Sequence, residues 1–592
     1  MVANQTTPLP VSWKECKARG WSGLDVLLVT GDAYIDHPSF GVALIGRLLE
    51  AHGLRVAILA QPRFNTNTDF KQFPSPSLFC GITAGNLDSI VANYTSNSRI
   101  RKTDAYSPNG NPWRGNLQAK SERRRPDRAS LIYSSLARSA FPGTPVILGG
   151  IEASLRRFVH YDYQQDKLRN SFLTEAKADL LVYGMGEKAV LEIVRRRQAG
   201  ESLSGIMGTC ERLTESQFAE RFTHLKKSSN REYLILPSWQ KIEDENALFL
   251  QAEVAIDRHA RGRSSRFILQ RQKHQWILQH PPQPVLKTNE LDAFYELPFT
   301  RRPHPDDNAD IPAYRMIRDS ITIVRGCSGN CHFCAITRHQ GAVIVSRSNR
   351  SIVREAKALS ESSDFRGTIS DLGGPTANLF ATDCSIGGCR KRDCLYPKLC
   401  PNLIIDEERF LRLLQEVSSL KAVRHLFISS GLRMGLLLET EKLFKALLYH
   451  HTPGVLKIAP EHTVDEVLQL IHKEPHELLQ KFVTRCNELT LKKGRKHAGL
   501  SPYIITSHPG SSPAIAEKMA ADLKHLGLQL HSFQDFTPTP GTLSTAIYVT
   551  GRHPETGRKV TVNRTKKQRQ EERDILENQF TLGRKTPKKK KN

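Results

Sequence analysis

Three cysteines within eight residues, Cys327, Cys331 and Cys334, follow the apolar run Ile321 to Val324 and the pair Arg325-Gly326. A chain that turns three thiols at C-x3-C-x2-C spacing toward one point must end a strand and fold back on itself at once. Gly326 and Gly329 supply the backbone freedom for that turn. Three such thiolates can hold three irons of a cubane 4Fe–4S cluster. These clusters ordinarily take four cysteines, so the fourth iron is left open for another ligand. A zinc knuckle is the competing reading, but zinc sites favour four ligands in paired sets. His332 lies between two of the cysteines, where reaching the same metal would be strained.

The chain has 592 residues, of which 39% are hydrophobic, so it divides into two or three domains with ordinary cores. Its net charge of +25 admits an anionic partner such as nucleic acid. That charge is spread along the chain, however, and its densest run is Lys588 to Lys591, which reads as a solvated basic tail rather than a binding patch. No apolar run reaches the ~18 residues that span a bilayer. Met1 to Cys16 lacks the apolar core of a signal peptide. With eleven cysteines, the expected setting is a reducing cytoplasm, where clustered thiols serve metals rather than disulfides.

Residues 24–60 read as strand, helix, strand: Leu24 to Thr30, Gly41 to His52, and Arg55 to Leu59. Pro145 to Leu148 enters Gly149-Gly150, and Leu180 to Tyr183 precedes Gly184 to Glu187 and a helix at Lys188 to Arg197. This alternation predicts an open parallel α/β sheet over residues 1–225, Rossmann-like in kind, with ligands outside the carboxyl ends of its strands. Residues 226–300, rich in Gln, Arg and Pro, read as a helical connector. A core follows at 301–550, with strands expected at 321–325, 367–371, 424–429, 455–459, 501–506 and 529–536. Helices are expected between them, among them 351–360, 406–420 and 513–526, and six βα units fit an incomplete barrel. Residues 551–592 read as a basic tail, helical near 563–573 and disordered over its last ten residues.

Cys384, Cys389, Cys394 and Cys400 form a second set at C-x4-C-x4-C-x5-C, between Gly387-Gly388 and Arg390-Lys391-Arg392 in part. Four cysteines in 17 residues point to a second metal, either an auxiliary iron–sulfur cluster or a structural zinc. The spacing matches no standard zinc finger.

The cysteine motif, with aromatic Phe333 before its third cysteine, resembles the signature of the radical S-adenosylmethionine (radical SAM) superfamily. That resemblance implies that the amino and carboxylate groups of S-adenosylmethionine chelate the open iron. An electron from the cluster then breaks the sulfonium bond to release a 5′-deoxyadenosyl radical. It also implies a partial (β/α)6 barrel and a low-potential electron donor such as a flavodoxin. Gly373-Gly374 after the second barrel strand resembles the family's GGE motif; Pro375 stands at the acidic position, so only backbone contact with the methionine carries over. Ser430 and Glu461, at the ends of the third and fourth strands, suit ribose hydroxyls and the polar end of the methionine. Many radical SAM enzymes carry a cobalamin-binding-type first domain whose cobalt ligand lies in D-x-H-x-x-G. Here Asp36-His37 precedes Gly41 with the histidine one place early, which argues against cobalt ligation by His37.

Residues 31–41, 325–334 and 371–378, with the four-cysteine insert, are together similar to YgiQ-type radical SAM proteins through almost the whole chain. The implied activity is reductive cleavage of S-adenosylmethionine to start radical chemistry on a substrate that the motifs do not name. Two other readings remain open at this point. One is a tRNA-modifying methylthiotransferase-like enzyme, against which stand the widely spaced Cys16, Cys80 and Cys210 of the first domain. The other is a non-catalytic iron–sulfur protein for electron transfer or nucleic-acid binding.

Overall fold

The computed structural model describes residues 7–115, 118–222, 232–262, 265–305, 309–387, 389, 393–491 and 499–580. Val26–Thr30 (β1) is apolar at nearly every position and buried along its whole length, as a strand covered on both faces must be. It pairs in parallel with Val56–Ala60 (β2) on one side and Phe79–Thr83 (β3) on the other. Val146–Leu148 (β4) extends the parallel run. After a small hairpin of His160–Asp162 (β5) and Lys167–Arg169 (β6), Leu180–Val182 (β7) closes it. The helices Gly41–Ala51 and Glu187–Ala199 cover the sheet with Val42, Leu48 and Leu49 and with Ala189, Val190 and Ile193. Each such fully buried aliphatic side chain contributes about 1.5–3 kcal/mol.

The sheet does not stop there. Thr209–Thr214 (β8), Tyr233–Ile235 (β9), Phe267–Gln272 (β10) and Gln275–Gln279 (β11) complete nine strands in the order β2-β1-β3-β4-β7-β8-β11-β10-β9. Residues 226–300 are therefore not a helical connector: three of these strands lie in that span, alongside the helices Ala247–Arg261 and Thr288–Tyr295. Their polar composition misleads because the glutamines point inward. Gln270, Gln272 and Gln279 are buried, and their amide oxygens accept from Val159 N, Ser171 N and Arg157 Nε. A buried amide is stable when its hydrogen bonds are met.

The second unit begins with Ser320–Thr322 (β12) and Val324–Arg325 (β13), followed by Val345–Ser346 (β14). Thr368–Ile369 (β15) and Asp371–Gly373 (β16) come next, then Thr382–Cys384 (β17), Leu403–Ile405 (β18) and His425–Leu426 (β19). Leu456–Glu461 (β20), Leu500–Thr506 (β21) and Gln534–Asp535 (β22) complete the set. β12 pairs in parallel with β16, β15 with β19, and β20 with β21, which pairs with β22. A parallel bridge from Leu432 to Ile458 joins the third barrel position to the fourth. Six parallel positions in chain order, with helices Asn349–Ser360, Glu407–Ser418 and Pro513–His525 between them, form the expected partial (β/α)6 barrel. The last strand is shorter than the 529–536 expected.

The segment after 550 is no loose tail up to Phe580. Helix Lys566–Phe580 buries Arg569, Glu572 and Leu576. Arg569 donates to Ser96 O and Tyr548 Oη, and Glu572 accepts from Ser507 N and Ser511 Oγ. A run of basic residues hid these inward polar contacts. The disorder expected of the last ten residues lies outside the described residues. Among the described residues, no helix is long and apolar enough to cross a membrane.

Candidate functional site

The cysteine loop starts where the first barrel strand ends, and glycines are needed where it closes. Gly326 has φ +79°, and a Cβ there would collide with the carbonyl of Val343. A Cβ on Gly329 would strike Arg433 Nη2 and stand 3.3 Å from Cys327 Sγ. Asn330 takes the left-handed turn at φ +50°. The loop thus folds tightly enough to turn its three thiols together, and none is in a disulfide. Gly329 N donates to Cys327 Sγ at 3.4 Å. Burial pushes the Cys334 thiol up to about 12, and the neighbouring Cys331 and Cys327 add to the rise. Phe333 packs against the buried cluster that includes Leu470, Phe536 and Ile547.

Arg433 reaches the loop from the end of the third barrel position. Its Nη2 donates to Cys331 Sγ at 2.9 Å, and its Nη1 pairs with Glu474 at 3.2 Å. Both members of the pair are buried, and Lys473 Nζ lies 3.7 Å from Glu474. Glu461, ending β20 in the left-handed region at φ +67°, lies within electrostatic reach of Lys473 and Arg433. Burial holds its carboxyl above the ordinary carboxylate range, against the pull of those two cations. Glu461 therefore belongs to the same polar group as Arg433, Lys473 and Glu474. Arg433, Lys473 and Glu474 carried no role in the sequence reading. The available signal was a basic residue two positions after Ser-Ser-Gly at a strand end.

Gly373, Gly374 and Ser430 meet at the neighbouring strand ends. Ser430 Oγ donates to Asp371 Oδ2, and Ser429 N donates to Asp371 Oδ1 at 2.8 Å. A Cβ on Gly373 would lie 2.5 Å from Ser430 Oγ, and one on Gly374 would lie 2.7 Å from the carbonyl oxygen of Val324. Gly374 thus lets the second strand approach the strand that launches the cysteine loop. A bulky residue there would displace that loop's base, so it would not report on cofactor contact alone.

The first unit lies against this loop. Arg325 Nη1 pairs with Glu187 at 2.6 Å in a buried contact, and His339 Nδ1 meets Ser154 Oγ at 3.1 Å. Glu187 and Ser154 follow β7 and β4, so the carboxyl edge of the nine-stranded sheet covers the cysteine loop.

Known proteins place this arrangement. Residues 8–320 match the radical SAM N-terminal family. The chain is 42% identical to a UPF0313 protein of Methanocella arvoryzae, over 95% of this chain and 92% of that one. It is also 42% identical to a UPF0313 protein of Thermotoga neapolitana, over 95% and 97%. The chain belongs to the UPF0313 family of radical SAM proteins. Its fold is also that of a solved radical S-adenosylmethionine methyltransferase, TsrM from Kitasatospora setae, with a TM-score of 0.50 at 14% identity, covering 88% of this chain and 77% of that one. The protein is accordingly a radical SAM enzyme of α/β fold.

The TsrM structure holds cobalamin. The switch point between β1 and β3 is filled by Arg125, itself buried, which pairs with Asp32 at 2.5 Å and Asp104 at 3.0 Å. A Cβ on Gly85 would collide with the Asp32 carboxylate, so the backbone is already closed there. His37 is buried; its Nδ1 accepts from Ser39 N at 3.1 Å, and Arg301 adds to the burial that holds its pKa well below the usual value. Asp36 is taken up by Arg47 and by Thr300 N.

Cys384, Cys394 and Cys400 are half-buried and Cys389 is exposed. Gly388 and the basic residues 390–392 lie outside the described residues.

Proposed function

We propose that this protein binds a 4Fe–4S cluster through Cys327, Cys331 and Cys334 and reductively cleaves S-adenosylmethionine to start radical chemistry on a further substrate. The observation that carries this is the meeting of three unpaired thiols with Arg433 at the carboxyl end of the first barrel strand, 2.9 Å separating Arg433 Nη2 from Cys331 Sγ. The donor set fits the cluster: three thiols free of disulfides on a loop whose glycines leave no room for larger side chains. When bound, the cluster supplies the single electron that opens the sulfonium bond. The guanidinium of Arg433 offsets the negative charge gathered on the thiolates. Glu461 and the backbone at Gly373-Gly374 would hold the polar end of the methionine, and Ser430, oriented by Asp371, would meet the ribose. Glu187 and Arg325 close the far side of the loop and keep water from it. Such a cluster calls for a low-potential one-electron donor of the flavodoxin class, in a reducing cytoplasm.

The test is anaerobic reconstitution with iron and sulfide, reduction with dithionite, and measurement of 5′-deoxyadenosine. Formation of that product supports the reading. A protein loaded with iron that releases none would instead be an iron–sulfur carrier for electrons.

A further inference from the structure

We propose that Cys384, Cys389, Cys394 and Cys400 hold a second iron–sulfur cluster, packed directly against the loop that carries Cys327, Cys331 and Cys334. The backbone gathers these four residues. Cys384 ends β17 and stands opposite Leu403 of β18 in an antiparallel pair. Leu403 N donates to Cys400 O at 3.0 Å, and Cys400 N donates to Cys394 O at 2.9 Å. Three cysteines from distant points of the insert are thereby tied into one small structure. Cys389 lies near enough to Cys394 to act on it electrostatically, as Cys400 and Cys384 do.

Residues 393–396 of the insert are seated against the rest of the chain. Asp393 accepts from Arg261 Nη1 at 2.7 Å and lies 3.1 Å from His472 Nε2. Tyr396 lies against the His472 ring with centroids 3.9 Å apart, and His472 stacks on His332 of the cysteine loop at 4.7 Å. Leu395 is buried with Cys327, Leu379 and Leu436, and Cys394 packs on the same group. Cys394 is also a neighbour of Ser328, the residue after Cys327. So the second thiol set lies behind the first, with Cys389 toward solvent.

The spacing favours a cluster over a single ion. Zinc sites take four ligands in paired sets, which C-x4-C-x4-C-x5-C is not. A cubane gives each of four thiolates its own iron.

The experiment uses the full chain with Cys327, Cys331 and Cys334 all changed to Ala, reconstituted anaerobically with iron and sulfide. About four irons and four sulfides per chain are expected to remain, with an electron paramagnetic resonance signal on reduction. Adding Cys394→Ala and Cys400→Ala should remove them. Roughly one zinc and no iron would overturn the cluster, and a folded protein with no metal and four titratable thiols would overturn the site. Should the triple variant not fold, the C384S/C400S variant of the otherwise native chain decides: its iron is expected to fall by about half, and an undiminished iron content refutes the proposal. Because the triple variant lacks the signature cysteines, its outcome is independent of whether the native protein cleaves S-adenosylmethionine.

Discussion

Two sets of parallel strands present their carboxyl ends toward one interior, and the chain treats them in opposite ways. At the nine-stranded sheet, three buried arginines each pair with carboxylates of the same chain. Asp32 and Asp104 share Arg125, Asp88 and Asp162 share Arg156, and Asp36 holds Arg47, all of them buried. At the barrel, the loop after the first strand gathers three thiols and places a guanidinium beside them. An open α/β sheet offers a ligand crevice at its switch point by topology. Topology alone does not keep that crevice open. Once ion pairs within the chain satisfy its polar groups, the same geometry becomes a wall, and here that wall covers the reactive loop.

The comparison breaks most completely at the barrel. Changing any one of Cys327, Cys331 or Cys334 to Ala should abolish 5′-deoxyadenosine formation and remove the iron of that site. Wild-type product from any single variant would show that the site lies elsewhere.

A second test attacks the sealed crevice. Arg125→Met leaves Asp32 and Asp104 buried without their cation, and breaking a buried pair in this way costs about 3–5 kcal/mol. Thermal unfolding should show the loss, while the reconstituted iron content at low temperature stays unchanged. Native-like stability would mean that the crevice can open, and would return it to the class of ligand sites.

The smallest expected effect sharpens the barrel side. Glu461→Gln keeps the side chain's shape and removes its charge beside Lys473 and Arg433. The dissociation constant for S-adenosylmethionine, read by equilibrium dialysis on the iron-loaded protein, should rise roughly tenfold, about 1.4 kcal/mol, at constant iron. Unchanged affinity would make Glu461 a partner of Lys473 alone.

Much of this organisation could be read from short stretches. The C-x3-C-x2-C spacing, the glycines that close it, and the apolar run before it are all local, and the structure places them at the end of the first barrel strand. The βα alternation placed the parallel strands of both units, and Pro513 with Ser512 capping Ile515 N marked one helix start closely. These features repeat over two to four residues, the range over which backbone geometry dictates side-chain direction. The glutamine-rich strands were illegible for the opposite reason. Their polar side chains are buried only because Val159, Ser171 and Arg157, more than a hundred positions away in each case, supply the matching donors.

The sequence by itself determined the chemistry on offer: which thiols stand close along the chain, which strands end in glycine, and which family the motifs belong to. Only the tertiary structure decided where that chemistry is usable. It brought Arg433 to Cys331 across 102 positions and paired Arg125 with Asp32 across 93, and it seated the four-cysteine insert against Ser328. Charges and thiols gain or lose their character through desolvation and the partners that reach them. Those partners come from distant parts of the chain, so no local spacing announces them.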